Sequence, residues 1–427
     1  MHKLAPSTRS VVAAAALLSF VSGCGESPQA PTVAEARSQL ARLSPSVSAD
    51  ESAALAIGNA AFALRLFKQT EKADKNFVFS PISISVALAM TFAGARGDTE
   101  AEMAQALSFM LPQERLHPAM NLLGQELSQR GGNAKGADGG PFRLHFVNTL
   151  WAQDNLTLHP GFLDVQAQHY GAGVNLLDFA GAPEACRKTI NGWVSSKTQE
   201  RIDNLLAPGV INARTRLVLT NAIYMNAAWK NPFSKNTVDA DFTRLDGTST
   251  SVKMMSQSGS LRSFDSESLQ AVELPYEDEQ LSMLIIIPKA GKYPEVESLL
   301  TTDALATIAS GLQAQDVNLH LPRFKFESPL LLEESLAQLG MRSAFSDEAD
   351  FSAISPSKLR ITNVVHKSLV AVGEKGTEAA AATAVVLGRK SSPQGIFMAA
   401  SRPFMFLLRD RPTGAILFLG RVMDPSF

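Results

Sequence analysis

Residues 374–391 read EKGTEAAAATAVVLGRKS, and the interpretation of the whole fold depends on this stretch. Alanine and glutamate are strong helix formers and nothing between Thr377 and Ala384 interrupts a helix, so propensity alone favours a helix. Strand candidates at residues 361–372 and 404–408 flank the stretch, however, and they favour an extended chain. In an extended chain one face carries only small, uncharged side chains: Thr377, Ala379, Ala381, Thr383 and Val385. Such a face fits between two existing strands without overpacking the core beneath them.

The segment GEKGTEAAAAT, residues 373–383, resembles the hinge of the serpin family. In that family the hinge begins a reactive-centre loop, which inserts into a large central sheet after a protease cleaves it. Five further segments resemble serpin segments and occur in serpin order: NFVFSPISISVALAM from Asn76, INGWVSSKTQERI from Ile190, LVLTNAIYMNAAWKNPF from Leu217, VELPYEDEQLSMLIIIP from Val272 and RPFMFLLRD from Arg402. The resemblance therefore extends from about residue 51 to the C-terminus.

The resemblance implies an α+β fold of the serpin type. Several N-terminal helices would pack on a large central mixed sheet, with two further sheets and an exposed reactive-centre loop at about residues 374–400. It also implies a monomeric, irreversible, suicide-type inhibitor of serine proteases that has no enzymatic activity of its own. The partner would be a protease held as a covalent acyl-enzyme, and neither a cofactor nor a metal is expected.

The position of the scissile bond follows from the same resemblance. In the family this bond lies sixteen residues after the hinge glutamate, and counting from Glu374 gives Lys390, followed by Ser391. A basic residue suits a pocket with aspartate at its base, which is the trypsin type. Arg389 is the alternative scissile residue, and the pair Arg389 and Lys390 also permits a dibasic-cleaving, subtilisin-type target. The implied hinge residues are Glu374, Gly376, Thr377, Glu378, Ala379, Ala380, Ala381, Ala382 and Thr383.

Trp229, Arg323 and Glu374 match the place where serpin loops begin to insert. Arg323 can bind the hinge glutamate through two hydrogen bonds, as the guanidinium geometry allows. The alternative is a plain surface ion pair that contributes under about 1 kcal/mol.

His366 lies in the apolar run 364–372, where a lone histidine is typical of a hydrogen-bonded core residue. The resemblance places it beneath the opening sheet with Ser80, Ser83 and Asn221. Buried polar groups must be paired, so partners that exchange when strands separate would act as a latch.

Composition excludes several classes of protein. The chain has 427 residues, of which 45% are hydrophobic and 19% charged, as expected for a soluble protein with a sizeable core. That length suggests about three domains, but no linker follows residue 50, so residues 51–427 are interpreted as one domain. The formal net charge is −2 without a basic stripe, which argues against nucleic acid as a partner.

The N-terminus has the features of a secretory signal. Lys3 and Arg9 precede an apolar run at residues 11–21 that is too short to span a membrane. The ending VSGC resembles a bacterial lipobox, so residues 1–23 would be removed and Cys24 would carry a lipid that binds the membrane. The alternative is an ordinary signal peptide with Cys24 left as a spare thiol. Residues 24–50, rich in Ser, Pro, Ala and Gln, are predicted to be a flexible tether of an exported protein, either a cell-envelope lipoprotein or a secreted one.

Enzyme signatures are largely missing from the sequence. It contains no H-E-x-x-H, G-x-S-x-G, C-x-x-C or EF-hand motif. The S-x-x-K match at residues 355–358 lacks its S-D-N and K-T-G companions. The glycine-rich residues 131–140 lack the Lys-Ser or Lys-Thr pair of a P-loop and are expected to form a flexible surface loop. A non-inhibitory serpin that stores or binds other molecules is the main alternative function.

Local patterns give expected elements for the rest of the domain. Helices are predicted at residues 52–67, from Ser80 and Pro81 onward, and at 190–206, and strands at 76–79, 144–152, 216–229 and 281–288.

Overall fold

The computed structural model describes residues 33–69, 74–378 and 395–426. Its helices are α1 (Ala49–Gln69), α2 (Pro81–Phe92), α3 (Gly97–Ala106), α4 (Gln113–Ser128), α5 (Pro160–Val165), α6 (Pro183–Lys197), α7 (Tyr293–Leu299), α8 (Thr302–Gly311) and α9 (Glu333–Gln338), with a π-helix at Gln166–Tyr170 and a 3₁₀-helix at Ser343–Phe345. Its strands are β1 (Ala34–Ala36), β2 (Phe77–Phe79), β3 (Arg143–Gln153), β4 (Val174–Leu177), β5 (Leu217–Ala228), β6 (Val238–Thr243), β7 (Ser249–Asp265), β8 (Leu269–Pro275), β9 (Leu281–Pro288), β10 (Gln313–Pro322), β11 (Phe324–Leu331), β12 (Asn363–Gly373), β13 (Gly376–Thr377), β14 (Ile396–Ala399), β15 (Phe404–Asp410) and β16 (Ile416–Val422).

Helix α2 lies beneath the central sheet and begins where the sequence predicts. The Ser80 hydroxyl accepts a hydrogen bond from the Ser83 amide at 3.3 Å, which caps the helix, and Pro81 occupies the first turn. Nearly every residue of α2 is buried, because the helix packs on β3, β5 and β16 at once. An apolar helix surrounded on all sides in this way belongs to the protein interior.

The central sheet holds the strands in the order β1-β4-β3-β5-β13-β12-β11 among the described residues. Strands β5 and β12 pair in parallel over residues 218–223 and 363–368. At one end of this pair the two-residue strand β13 lies between them and is antiparallel to both. We call the line between β5 and β12 the seam. The seam is thus closed over most of its length and already separated at the end where β13 enters.

The remaining described strands form a second sheet of nine strands, with the path β14-β10-β7-β8-β9-β15-β16-β2 and with β6 paired to β7. The two further sheets expected from the sequence are joined into one because the long strand β7 pairs with β6, β8 and β10. The main hydrophobic core combines residues of both sheets with residues of α1 and α2, and a smaller core joins the other face of the central sheet to α6. This α+β arrangement is the one expected.

The prediction of a flexible tether at residues 24–50 is wrong for the part that the structure describes. Strand β1 pairs with β4, and the chain that follows is bonded to the helices. The Arg42 guanidinium donates to Asn121 Oδ1 at 2.8 Å, and Asn121 donates to the Leu43 carbonyl at 2.9 Å. Composition missed these contacts because many of them use backbone groups and polar side chains, whose partners lie in distant segments. Residues 24–32 lie outside the described part.

The predicted helix at residues 190–206 is also placed incorrectly. Helix α6 begins at Pro183 and ends at Lys197. Gln199 and Glu200 have φ values of 53° and 60°, which end a right-handed helix. The Thr198 hydroxyl accepts from the Ile202 amide and holds the following turn in place. In the described part of the chain, every helix is too short or too polar to cross a bilayer.

Candidate functional site

The first residues of the predicted hinge are seated in the open end of the seam. Gly376 pairs with Ala228 of β5 and Gly373 of β12, and Thr377 pairs with Ala227 and Val372. A Cβ atom on Gly376 would lie 2.0 Å from the Ala227 carbonyl oxygen, so only glycine fits there.

Thr377 is 3% exposed and rests on an aromatic pair. Its hydroxyl lies 2.6 Å from the Tyr276 hydroxyl, and the Tyr276 ring stacks on Trp229 with centroids 4.5 Å apart. The Trp229 indole N–H donates to the Gly373 carbonyl at 2.9 Å. The structure therefore places Trp229 beside the hinge, where the resemblance implied. The contribution of Tyr276 was not recognised in the sequence, since a tyrosine before a turn carries no distinctive signal.

Glu374 and Arg323 are in contact, and the contact is bidentate. Arg323 Nε donates to the two carboxylate oxygens at 2.8 and 2.9 Å, and Arg323 Nη2 and the Thr237 hydroxyl also donate to Oε1. Burial would raise the pKa of Glu374, but the hydrogen bonds from Arg323 and Thr237 outweigh it and lower that pKa. The Arg323 side chain is 36% exposed and the Glu374 side chain 18%, so the carboxylate end of this ion pair is partly shielded from solvent. Its role as a gate for insertion stays a prediction.

Glu378 is the last described residue of the hinge and its carboxylate is held by Arg201. Arg201 Nε lies 2.6 Å from Glu378 Oε1. Glu378 has a φ of 60°, which is strained for a residue with a side chain, and burial raises the pKa of its carboxyl. Nothing in the sequence pointed to Arg201, because it lies in a turn after α6 and meets Glu378 only in the folded chain.

His366 and Asn221 are neighbours across the closed part of the seam. His366 is fully buried, and its Nε2 accepts from the Ser80 amide at 3.0 Å and contacts the Ser368 hydroxyl at 2.7 Å. An amide can only donate, so Nε2 carries no proton and Nδ1 does. Nδ1 then donates to Asn221 Oδ1.

The other side of Asn221 continues this network away from the seam. Asn221 Nδ2 donates to the Ser83 hydroxyl at 2.7 Å and to Asn148 Oδ1, and Ser83 donates to the same Asn148 oxygen at 2.9 Å. The structure thus brings together Ser80, Ser83, Asn221 and His366, as the resemblance implied. Asn148 and Ser368 were missed, because polar residues inside a strand give no signal of their partners.

The network can act as a latch because of where it lies. Neighbouring strands are about 4.8 Å apart, so a strand inserted between β5 and β12 would double their separation. The hydrogen bond between His366 and Asn221 crosses that line and must break or find new partners. Opening the seam therefore breaks hydrogen bonds between buried polar groups. This costs free energy until the inserted strand provides new partners for those groups.

We expect the stability of the intact chain to fall as the pH drops below about 6.5. Burial lowers the pKa of His366 to about 3, whereas an unfolded histidine titrates near 6.5. Since the unfolded state binds the proton first, His366 alone decreases the free energy of unfolding by about 1.4 kcal/mol per pH unit between those values. Urea unfolding at about pH 7.5 and 5.5 measures how the free energy of unfolding changes with pH. His366→Asn should remove the part of that change that is due to His366. Equal unfolding free energies at both pH values would contradict a buried neutral imidazole.

The glycine-rich residues 131–140 lie over the end of β5 next to the seated hinge. The Ala228 amide donates to the Lys135 carbonyl at 2.9 Å, and the Ala137 amide donates to Asn226 Oδ1 at 2.6 Å. This loop is therefore anchored, contrary to the expectation of a flexible one, because its backbone completes the pairing of β5.

Several predicted site residues lie outside the described part of the chain. They are Cys24, Ala379, Ala380, Ala381, Ala382, Thr383, Arg389, Lys390 and Ser391. Within the described ranges no group of three or more His, Cys, Asp or Glu residues could hold a metal ion.

Comparison with known proteins gives consistent matches over most of the chain. The family model described as Serpin (serine protease inhibitor) matches residues 57–425. An uncharacterized serpin-like protein of Thermococcus kodakarensis is 39% identical over 371 residues, which cover 86% of this chain and 84% of that protein. The leukocyte elastase inhibitor of Bos taurus is 39% identical over 385 residues, which cover 87% of this chain and 99% of the inhibitor.

Solved structures agree with these sequence matches. The native state of tengpin, a thermophilic serpin, gives a TM-score of 0.82 at 27% identity and covers 92% of this chain and 100% of its own. Human thyroxine-binding globulin complexed with thyroxine gives a TM-score of 0.79 at 29% identity, over 88% of this chain and 100% of its own. With the family model spanning most of the sequence and the hinge seated in the central sheet, the chain belongs to the serpin family of serine protease inhibitors and is not an enzyme.

Proposed function

We propose that the chain is an irreversible, suicide-type inhibitor of trypsin-like serine proteases, cleaved between Lys390 and Ser391. The seated position of Gly376 and Thr377 is the observation that carries this proposal. These two residues have the pairing that the first rung of an inserted strand needs. The residues that follow, 379–384, are alanine and threonine, which are small enough to continue between β5 and β12.

The mechanism uses the free energy of strand insertion. The protease serine attacks the Lys390 carbonyl, the bond to Ser391 breaks, and Ser391 leaves as the amine after it receives a proton from the protease histidine. Lys390 stays esterified to the protease, and the loop that ends at Lys390 is no longer joined to the chain that follows it. Insertion of about fifteen residues at about 0.5–1.5 kcal/mol per hydrogen bond releases on the order of ten kcal/mol. This rivals the stability of a typical domain, about 5–15 kcal/mol. The release is large enough to distort a catalytic triad, whose activity depends on fixed donors and orientation.

The basic residue at position 390 supports trypsin-like specificity. Trypsin has an aspartate at the base of its specificity pocket, whereas elastase has a small pocket. The relative from Bos taurus is named for leukocyte elastase, but a lysine side chain would not fit a small pocket. The specificity we propose therefore differs from the one in that relative's name.

Replacing Lys390 by leucine is expected to abolish the inhibition of trypsin and to favour chymotrypsin-like proteases. The measurement is the yield of an SDS-resistant complex with each protease, together with its mass, which locates the cleaved bond. Arg389→Leu is the matched control and should leave the trypsin complex intact. Loss of the trypsin complex in Arg389→Leu but not in Lys390→Leu would move the scissile residue to Arg389. A cleaved chain beside fully active trypsin would contradict inhibition itself.

A non-inhibitory binding protein is the second candidate function. One structural neighbour, thyroxine-binding globulin, is complexed with thyroxine, so the fold also occurs in a protein that binds a small molecule. Bulky or charged residues on the inserting face would favour this alternative. Thr377, which is seated, is small, and so are Ala379, Ala381 and Thr383, so inhibition is the function we favour.

We also propose that the protein is exported and anchored to the cell envelope by a lipid on Cys24. The support is the sequence of residues 1–23, in which basic residues come first, an apolar run follows and small residues precede Cys24. Several acyl chains on one residue would give stable anchoring. Full-length protein should enter the detergent phase of a Triton X-114 separation, and Cys24→Ala should move it to the aqueous phase. An unmodified N-terminal peptide in a mass spectrum would argue against the anchor.

A further inference from the structure

Strand β3 has a neighbouring strand on only one side over half of its length. It pairs with β5 over residues 143–152, whereas β4 pairs with it only from Leu150 to Gln153. Within the part of the chain that the structure describes, no residue outside β5 bonds to the backbone of residues 144–148. Alternate residues of an antiparallel strand direct their N–H and C=O groups to opposite sides, so some of these groups face away from β5. The central sheet therefore has an open edge at residues 144–148.

A cavity of about 500 Å³ follows this edge, and we call it the gap. All five β3 residues from Leu144 to Asn148 line it. Successive side chains of a strand point to opposite faces of the sheet, so a cavity that all five line must run along the edge of the strand. Residues 144–148 span about 13 Å when extended. The gap thus has the position and the length of a strand of about four residues beside β3.

The two sides of the gap differ in chemistry. On the face that packs on α2 and α4, the lining side chains are apolar and include Val86, Leu123 and Leu127. On the opposite face, helix α6 contributes Trp193 and Lys197. A strand in the gap would point alternate side chains to these two faces. It therefore needs apolar side chains at every second position and polar ones between them.

The charges around the gap favour acidic residues at the polar positions. Arg42 and Lys197 line the gap, and none of the other described lining residues is charged at neutral pH. Lys197 Nζ lies 5.7 Å from the centre of the Trp193 ring and forms no ion pair with a described residue. Arg42 binds Asn121 through Nε and Nη2, which leaves its Nη1 donors available. Both cations are exposed, so a partner can reach them.

We propose that the gap binds an extended peptide segment of a partner protein, which adds to the central sheet beside β3. The segment has apolar residues that pack on α2 and α4 and, between them, acidic residues that face Lys197. Its backbone bonds to the free N–H and C=O groups of residues 144–148. A fatty acid would match the apolar wall and the cations, but it would leave those backbone groups without partners.

Gly124 offers a way to close the gap without disturbing the fold. It lies inside α4, where glycine is less favourable than other residues, and it lines the gap. A Cβ atom on Gly124 would lie 3.1 Å from Arg42 Nη2, which is the end of a flexible side chain and can move. We expect Gly124→Leu to keep the chain folded while its side chain fills part of the gap.

Fluorescence anisotropy of a labelled Val-Glu-Val-Glu-Val peptide, titrated with the full chain, tests this site. The peptide should bind, and Val-Lys-Val-Lys-Val should bind at least tenfold more weakly because its charges meet Lys197 and Arg42. Gly124→Leu should weaken binding of the acidic peptide at least tenfold, and Lys197→Gln about fivefold. Lys188→Gln is the matched control, since Lys188 is an exposed lysine of the same helix outside the gap, and it should leave binding unchanged.

Two N-methylated peptides test the backbone pairing. Methylation of the glutamate nitrogens removes donors from one edge of the extended peptide, and methylation of the central valine nitrogen removes one from the other edge. Because only one edge of the peptide faces β3, one of the two peptides should bind at least tenfold more weakly and the other normally. Binding is measured without a protease, so this test does not depend on the proposed inhibition.

Five results would overturn the proposal. They are no binding of the acidic peptide, equal binding of the lysine peptide, equal binding of the two methylated peptides, unchanged binding in Gly124→Leu, and displacement of the peptide by dodecanoate but not by unlabelled peptide. Unchanged binding in Gly124→Leu would place the peptide elsewhere, the seam included. Thermal denaturation before each titration confirms that the variants are folded.

Discussion

Thr377→Arg is expected to turn the chain from an inhibitor of trypsin into a substrate of trypsin. Inhibition is a race between insertion of the loop and deacylation of the protease. Thr377 is 3% exposed and its hydroxyl contacts Tyr276, so the side chain at this position must enter the seam before any later residue does. An arginine there would bury a positive charge. The neighbouring Glu374 could not pair with that charge, because its carboxylate is already bonded to Arg323.

The size of this effect follows from the cost of a buried, unpaired charge. That cost is about 3–5 kcal/mol, and each 1.4 kcal/mol on a barrier is about tenfold in rate. Insertion should therefore slow by about 10²–10⁴-fold, and deacylation would win. The measurement is the ratio of cleaved chain to complexed trypsin in a titration of active protease.

Two control variants make the result specific to charge in the seam. Thr377→Ser keeps the hydroxyl that meets Tyr276 and should inhibit like the unaltered chain. Lys375→Gln changes the charge at an exposed hinge position and should also inhibit normally. Complex formation by Thr377→Arg at the unaltered ratio would show that a charge at this seated position does not slow insertion of the loop.

The sequence predicted the parts of the site that depend on local pattern. Three features were recognisable: the buried strand β5, the small residues of the hinge and the capped start of α2. Each depends on neighbouring residues in the sequence, namely on hydrophobic periodicity, on side-chain size or on capping residues. The bidentate contact of Arg323 with Glu374 came only from the resemblance, since 51 residues separate the two.

The parts that were missed depend on contacts between distant segments. Asn148 and Ser368 complete the hydrogen bonds around His366, and Arg201 holds Glu378, yet each is an ordinary polar residue in its own segment. The strand at residues 34–36 was missed for the same reason, because its pairing with β4 uses backbone groups that every sequence possesses.

Cleavage of the loop is expected to raise the melting temperature of the chain substantially. The seam between β5 and β12 is closed over residues 218–223 and 363–368 in the intact chain. After cleavage, residues that follow Thr377 can pair with both strands along this line. The buried groups of His366 and Asn221 would then exchange partners rather than lose them, so the new hydrogen bonds are a net gain.

The free energy released by insertion is large compared with the free energy of unfolding of a typical domain. A release on the order of ten kcal/mol corresponds to an increase on the order of 10 °C for a domain of this size. Chain incubated with active-site-blocked trypsin is the control, because the protease is present but the loop is uncut. A second control is Thr377→Arg after cleavage, which should gain less in the same time because its insertion is slow.

The measurement that tests the central claim most directly is a comparison of two melting temperatures by circular dichroism. One is that of the intact chain, and the other is that of the chain cut in the loop by trypsin and separated from the covalent complex and from free protease. The cut chain is expected to melt on the order of 10 °C higher than the intact one. A cut chain that melts at the same temperature or lower would show that the central sheet does not take up the loop, and the inhibitory mechanism proposed here would be wrong.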